Sequence, residues 1–286
     1  MLPDKQICPE KTYLLKLANG LGWNISSDPS ARPWVDLLAG IMSLPEKEDP
    51  RFASLLYRRK ESPSPPEGWR ECDLCEIRLL YREDSRDMVC ELRQDPAGRV
   101  HLWTALFPVY RDVCFSGGLP LHGALVEKDG AGILLAGPAD AGKTTCTRRL
   151  PASWKVLSDE ESVIVRDEKG LYIAHPFPTW SRLSEESEVP QWKVESSVPL
   201  RAIFFIAKSS RDSAVRAGTG RAAMLIAGLA AEKYHIDWKC LDREERIRIR
   251  GRLFENAGSL ALQIPSYLLD VSREGRFWDK MEEVLA

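Results

Sequence analysis

Nine consecutive residues carry the clearest chemistry in the chain: Gly137-Pro138-Ala139-Asp140-Ala141-Gly142-Lys143-Thr144-Thr145. They satisfy the phosphate-loop pattern G-x-x-x-x-G-K-[ST] in full. Gly137 and Gly142 let the backbone curl so that successive N–H groups converge on phosphate oxygens. A helix opening at Lys143 adds partial positive charge. Lys143 reaches the β- and γ-phosphates, and the Thr144 hydroxyl ligates Mg²⁺. The context agrees, because apolar Ile133–Ala136 reads as a strand leading in and Thr144–Leu150 as the start of a helix. Pro151 stops that helix within about two turns.

Phosphoryl transfer to a hydroxyl also needs an acid to hold Mg²⁺ and one to orient or deprotonate the acceptor. Lys155-Val156-Leu157-Ser158-Asp159-Glu160-Glu161 offers both. Val156 and Leu157 place Asp159 at a strand end, sixteen residues after Lys143. Adjacent acids there point in different directions, so one can face the metal and the next the acceptor. A rival is Asp270, which ends the apolar run Tyr267-Leu268-Leu269. Guanine-specific enzymes carry Asn-Lys-x-Asp, and the nearest segment, Lys208-Ser209-Ser210-Arg211-Asp212, lacks it. The remaining length holds no transport or motor machinery, whereas a small-molecule or protein kinase fits.

Several elements must position these residues. Tyr13–Leu17 and Trp23–Ile25 flank Asn19-Gly20-Leu21-Gly22 and predict a hairpin. From Pro33 to Pro45, the spacing of Trp34, Leu37, Leu38, Ile41 and Met42 predicts an amphipathic helix. The Pro-rich stretch 61–68 reads as a loop, and 74–93 and 100–107 as strands. Leu121–Glu127 and Ile133–Ala136 form a second hairpin through Lys128-Asp129-Gly130. Short strands are predicted at Lys155–Leu157, Val163–Arg166, Leu171–Ala174, Ala202–Ala207, Leu260–Ile264 and Leu268–Val271. Arg221–Leu229 has helical spacing, and Asp242 with Glu245 marks a further helix start. The result is a mixed α/β fold, with an N-terminal α+β region at 1–115 and a catalytic domain at 116–286.

Composition narrows the function classes. The chain has 286 residues with a net charge of −2, so no global field draws it to nucleic acid or acidic membranes. The longest uncharged apolar run, Ala222–Ala231, is half the ~20 residues that span a bilayer. The N-terminus shows no apolar signal region, and the expected location is cytoplasmic. Seven cysteines do not read as a disulfide framework. The Cys72/Cys75 pair has no second ligand pair for zinc and reads as two ordinary thiols.

Leu121-His122-Gly123-Ala124-Leu125-Val126, the phosphate loop and Ser158-Asp159-Glu160 occur in the order found in HPr kinase/phosphorylase catalytic domains, which are related in fold to phosphoenolpyruvate carboxykinases. Residues 119–175 carry the resemblance. Beyond them, His175-Pro176-Phe177-Pro178-Thr179-Trp180-Ser181-Arg182 and Ile264-Pro265-Ser266-Tyr267 resemble an HPr-kinase-related subfamily, the SynChlorMet cassette kinase-like proteins. These are encoded with radical-SAM peptide-modifying enzymes. The resemblance implies that His122 lies beside the transferring phosphate, Lys143 binds it, Thr144 and Glu160 hold Mg²⁺, and Asp159 is the general base. Glu160 stands where the family has an aspartate. The family's glycine-rich segment after the acidic pair is absent, so phosphorylase activity and HPr recognition are not carried over.

The resulting expectation is an ATP- and Mg²⁺-dependent kinase acting on a serine-type hydroxyl of a peptide or protein, with residues 1–115 binding that partner or aiding assembly into a homo-oligomer. Two alternatives stay open: a non-catalytic nucleotide sensor or chaperone, and a kinase for a small serine-like metabolite. His175 reads equally as an acceptor-site residue and as a packed histidine. Arg182 reads as a surface arginine or a phosphate clamp, and Trp180 as a substrate wall or a core ring. His101 and His235 receive no role.

Overall fold

Pro33 sits in the first turn of helix α1 (Arg32–Ile41), where its missing N–H costs nothing. Trp34, Val35, Leu38 and Ile41 are buried against the N-terminal sheet, while Leu37 of the predicted stripe stays exposed. The computed structural model describes residues 11–59, 64–74, 77–82, 85–93, 102, 104–180, 190–234 and 237–286. Cys75, His101, Arg182 and His235 lie outside the described residues.

The first sheet has the order β1 (Tyr13–Lys16), β2 (Gly22–Ser27), β3 (Ala53–Arg58), β6 (Met88–Leu92), β5 (Ile77–Tyr81), β4 (Arg70–Asp73). β1 and β2 form the predicted hairpin. Among the described residues of 100–107 there is no strand: Leu102 and Thr104 are helical, and α2 (Phe107–Phe115) starts with Pro108 in its first turn. Apolar content misled the reading there, because a buried helix and a buried strand share it.

The second sheet is built on two long strands, β7 (Leu119–Lys128) and β12 (Val198–Lys208). Each changes partners along its length. β7 pairs first with β10 (Glu161–Arg166), and then lies between β8 (Ala131–Ala136) and β9 (Lys155–Ser158). β12 meets β11 (Tyr172–Phe177), then β8, then β14 (Ser266–Val271). Because β10 also pairs with β11, the pairings β7–β8–β12–β11–β10 close on themselves. β8, β12 and β14 run parallel, so their C-terminal ends share one edge, and β13 (Ser213–Arg216) completes the sheet.

Helix α3 (Lys143–Arg149) follows β8 and the phosphate loop. Leu150, before Pro151, is already extended, as a residue preceding proline must be. Helices α4 (Thr219–Glu232) and α5 (Arg243–Gln263) follow, and α6 (Phe277–Leu285), which the sequence reading missed, closes the chain. Asp242 caps α5 by accepting from the Glu245 N–H at 2.8 Å. The strand expected at Leu260–Ile264 is instead the last turn of α5. Alternating Leu260, Leu262 and Ile264 imitate a strand, but the helix runs on until Ile264 turns extended before Pro265.

One apolar cluster runs through both sheets, from Leu15 and Trp23 to Leu121, Phe177 and Ile249. Polar contacts pin the same seam: Trp23 Nε1 donates to Asp112 Oδ2 at 3.1 Å and Trp192 N to Ile41 O at 2.8 Å. Cys72, Cys90, Cys114 and Cys146 are free thiols, whereas Cys240 is disulfide-bonded. Among the described residues, no helix is long and apolar enough to cross a membrane.

Candidate active site

The site is assembled around the partner switch of β7. On one side, Gly123 stands opposite Ala136, the last residue before the phosphate loop. On the other, β7 passes from Glu161, opposite His122, to Ser158, opposite Leu125. The Asp159-Glu160 turn between β9 and β10 is therefore held beside the loop. A Cβ on Gly123 would lie 3.0 Å from the Leu134 side chain and 3.3 Å from Leu135 O, so the strands can approach this closely only at glycine. Ser162 Oγ donates to Gly123 O at 3.0 Å and Ser158 Oγ to Glu161 O at 2.8 Å, which fixes the turn to β7.

The loop itself takes the conformation that its glycines allow. Asp140 has φ +61° and Gly142 φ +104°, so the backbone curls back before α3 begins. α3 has only seven residues, so loop N–H groups and Lys143 dominate its pull on an anion. Lys143 is buried and donates to Gly137 O at 2.7 Å and Pro138 O at 2.9 Å.

A cavity of about 470 Å³ collects the parts. His122, Lys143, Thr144, Asp159 and Glu160 line it, together with Asp140 and Lys208. The residues singled out from sequence thus converge on one space. Asp159 is buried, and Thr179 Oγ1 donates to its Oδ1. His122 Nδ1 lies 3.1 Å from Glu232 Oε2. Burial lowers the His122 pKa and the Lys143 ammonium lowers it further, against the bond to Glu232. Burial likewise lowers the Lys143 pKa, while Glu232 and Glu160 raise it. Burial thus disfavours the charged form of both groups, and an anion in the cavity would favour it again.

The third acid of the run behaves differently. Glu161, the first residue of β10, is fully buried and takes Lys233 Nζ at 2.6 Å and Trp180 Nε1 at 3.0 Å. Burial raises its pKa and Lys233 opposes that. Trp180 is therefore part of a buried polar cluster. His175 is also structural: Ala18 N donates to its Nε2 at 3.1 Å, so Nδ1 carries the proton given to Val194 O at 2.8 Å. Burial lowers its pKa to about 4. Asp270 accepts from Ser213 Oγ at 2.8 Å and does not line the cavity.

Thr179, Lys208 and Glu232 received no role from sequence. Lys208 arrives through the parallel pairing of β12 with β8, where Phe205 stands opposite Ala136 and the strand runs three residues past it. Glu232 ends α4, far along the chain from His122. Neither follows a local motif. Among the described residues, no group of three or more His, Cys, Asp or Glu could hold a metal ion by itself.

No curated protein matches the chain. A protein-family model described as SynChlorMet cassette protein ScmC matches residues 88–286, from the first residue of β6 to the last of the chain. The match includes the phosphate loop, the acidic turn and His122. The chain belongs to the SynChlorMet cassette protein ScmC family.

Proposed function

We propose that the protein is an ATP- and Mg²⁺-dependent kinase of the HPr-kinase-like class, transferring the γ-phosphate to a serine-type hydroxyl of a peptide or protein during ribosomal peptide maturation. The observation that carries this reading is the single cavity that brings Lys143 and Thr144 together with His122, Asp159 and Glu160. A module that only binds nucleotide needs the loop but has no use for a buried carboxylate and a histidine facing it.

The donor set fits Mg²⁺, which prefers oxygen ligands and uses one or two carboxylates alongside phosphates and waters. Thr144 and Glu160 supply a hydroxyl and a carboxylate to the lining of the same cavity. When bound, Mg–ATP provides a transferable phosphoryl group with its charge partly neutralised. Lys143 leaves the Gly137 and Pro138 carbonyls for phosphate oxygens. Thr179 holds Asp159 by one oxygen, and Asp159 accepts the serine proton. Glu232 holds His122 Nδ1, and once the phosphates' negative charge favours its protonated form, His122 presents Nε2–H to the phosphoryl oxygens. In this reading residues 116–286 carry the chemistry and residues 1–115 engage the partner.

Intact-mass measurement of candidate cassette peptides, incubated with the protein, ATP and Mg²⁺, tests the proposal. Addition of one phosphate group to a serine is expected. An unchanged peptide mass with ATP bound would make the protein a nucleotide-operated sensor instead.

A further inference from the structure

A cavity of about 420 Å³ lies where the first sheet meets helices α2 and α5, and it shares no described lining residue with the cavity at the phosphate loop. Tyr81 of β5, Met88 of β6 and Phe115 of α2 give it apolar walls. Arg82, Arg86, Arg111 and Arg248 surround the same recess, on a chain whose net charge is −2. Asp112 is the single acid among the described residues lining it. Aromatic rings hold the guanidinium groups in place. That of Arg111 lies 4.5 Å from the Tyr81 ring centre and 4.9 Å from that of Phe115, and that of Arg248 lies 5.3 Å from the same Phe115 ring. Arg86 stands 5.5 Å over Trp23. Two carboxylates fix them further. Glu245 accepts from Arg111 Nε at 2.7 Å and from Arg248 Nη1 at 3.2 Å, and Asp112 accepts from Arg86 Nε at 3.1 Å. With Arg86 Nη2 on Gly22 O, these bonds use one N–H each of Arg111 and Arg248 and two of Arg86, out of five per guanidinium. Three arginines thus share two carboxylates, and most of their donors remain for an occupant.

We infer that this recess is a docking site for an acidic segment of the peptide partner, whose carboxylates seat on Arg86, Arg111 and Arg248. The inference rests on the peptide acceptor proposed above and adds an anchor for it apart from the reacting centre. Planar guanidinium groups match carboxylates with paired, charge-assisted hydrogen bonds. Because rings and carboxylates already orient these three, little side-chain freedom is lost when an anion arrives. Tyr81, Met88 and Phe115 supply the apolar surface that a hydrophobic residue beside the acids would cover. The volume is that of a small-ligand pocket, with room for a few side chains and not for a folded domain. Nucleic acid fits poorly, since it calls for cations spread along a face, and here they ring one recess of a net-acidic chain. An anchor remote from the serine also serves catalysis, because binding energy gained there can hold the reacting hydroxyl in position.

The test is fluorescence anisotropy on the full chain with three labelled probes: the peptide Gly-Glu-Leu-Glu-Glu-Gly, its counterpart Gly-Gln-Leu-Gln-Gln-Gly, and a short oligothymidylate. The native chain is expected to bind the glutamate peptide at least about tenfold tighter than the glutamine peptide, with the preference shrinking as salt rises. Two variants locate the effect. Arg248 is exposed, and Arg248→Gln should weaken the glutamate peptide by about tenfold. Ser85 lines the recess and its Oγ accepts from Asp87 N at 3.2 Å. Ser85→Asp keeps that acceptor and sets a carboxylate among the arginines, so it should remove the preference. Equal native affinities for the two peptides would overturn the docking site without any variant and leave the kinase reading untouched. A preference kept by both variants would overturn it too, and tighter binding of the oligothymidylate would make the recess a nucleic-acid contact instead. A chain that selects the glutamate peptide yet transfers no phosphate to any peptide would keep the site and lose the kinase reading.

Discussion

Both sheets bury carboxylates, and they do so to opposite ends. In the first, Glu91 on β6 stands directly across from Arg58 on β3 and Arg78 on β5. Glu91 is fully buried, and Arg58 Nη2 and Arg78 Nη1 reach its two oxygens at 2.5 and 3.1 Å. Three ladder positions close on one another. In the second, Asp159 and Glu160 sit at a turn whose far side is a cavity, and Lys143 and His122 across it are held by main-chain carbonyls and by Glu232 respectively. Buried charge therefore marks a function here only where its partners leave space between them. Glu161 makes the point within three residues: next to Glu160 in sequence, it is consumed by Lys233 and Trp180.

Breaking the closed cluster should cost stability and little else. Glu91→Ala removes the carboxylate shared by two buried guanidinium groups, leaving Arg78 its bond to Glu71, and a loss of about 3–5 kcal/mol in denaturant unfolding is expected. ATP affinity of the folded protein should not move. If it did, the two sheets would be coupled more tightly than their separate charge clusters imply.

Lys143→Ala attacks the open cluster instead. The loop keeps its backbone but loses its one buried cation. ATP binding should weaken by about 1.5–3 kcal/mol, the worth of a charge-assisted hydrogen bond, with unfolding little affected. Calorimetry gives the first quantity and denaturant titration the second. Unchanged affinity would remove the phosphate-loop assignment.

His175 sharpens the comparison from the seam between the sheets. Its pKa falls from 6.5 to about 4 on folding, so the unfolded chain binds more protons between those values. Its contribution is intact above pH 6.5 and is lost as pH falls toward 4. Taking the protein from pH 7.5 to 5 should cost about 2 kcal/mol through this residue, and His175→Gln should flatten that part of the stability profile. A slope unchanged in the variant would mean that other groups carry the acid sensitivity.

What could be read from the sequence follows the range of the interactions. The phosphate loop is a local device, and its nine residues announce the turn, with Asp140 and Gly142 at positive φ. Asp159 and Glu160 were legible because an apolar strand ends at them. Lys208 and Glu232 were not, since they reach the cavity through a parallel strand pairing and a helix end that no spacing encodes. His175 was ambiguous for a related reason. Nothing near it in sequence shows that Ala18 supplies its partner N–H from the β1–β2 turn. The misread strand at Leu260–Ile264 reflects alternation at the end of a long helix, where propagation from the Asp242 cap outweighs local pattern.

The central claim is that the open cluster performs phosphoryl transfer with Asp159 as base. Its most direct measurement pairs ATP–Mg²⁺ affinity with the rate of phosphate transfer to the peptide, for the native chain and for Asp159→Asn. The amide keeps the size of the carboxylate but cannot take the serine proton. Affinity should stay nearly native, since Lys143, Thr144 and Glu160 remain, while transfer falls by about 10²–10⁴-fold. Native-rate transfer by the asparagine variant would contradict the account.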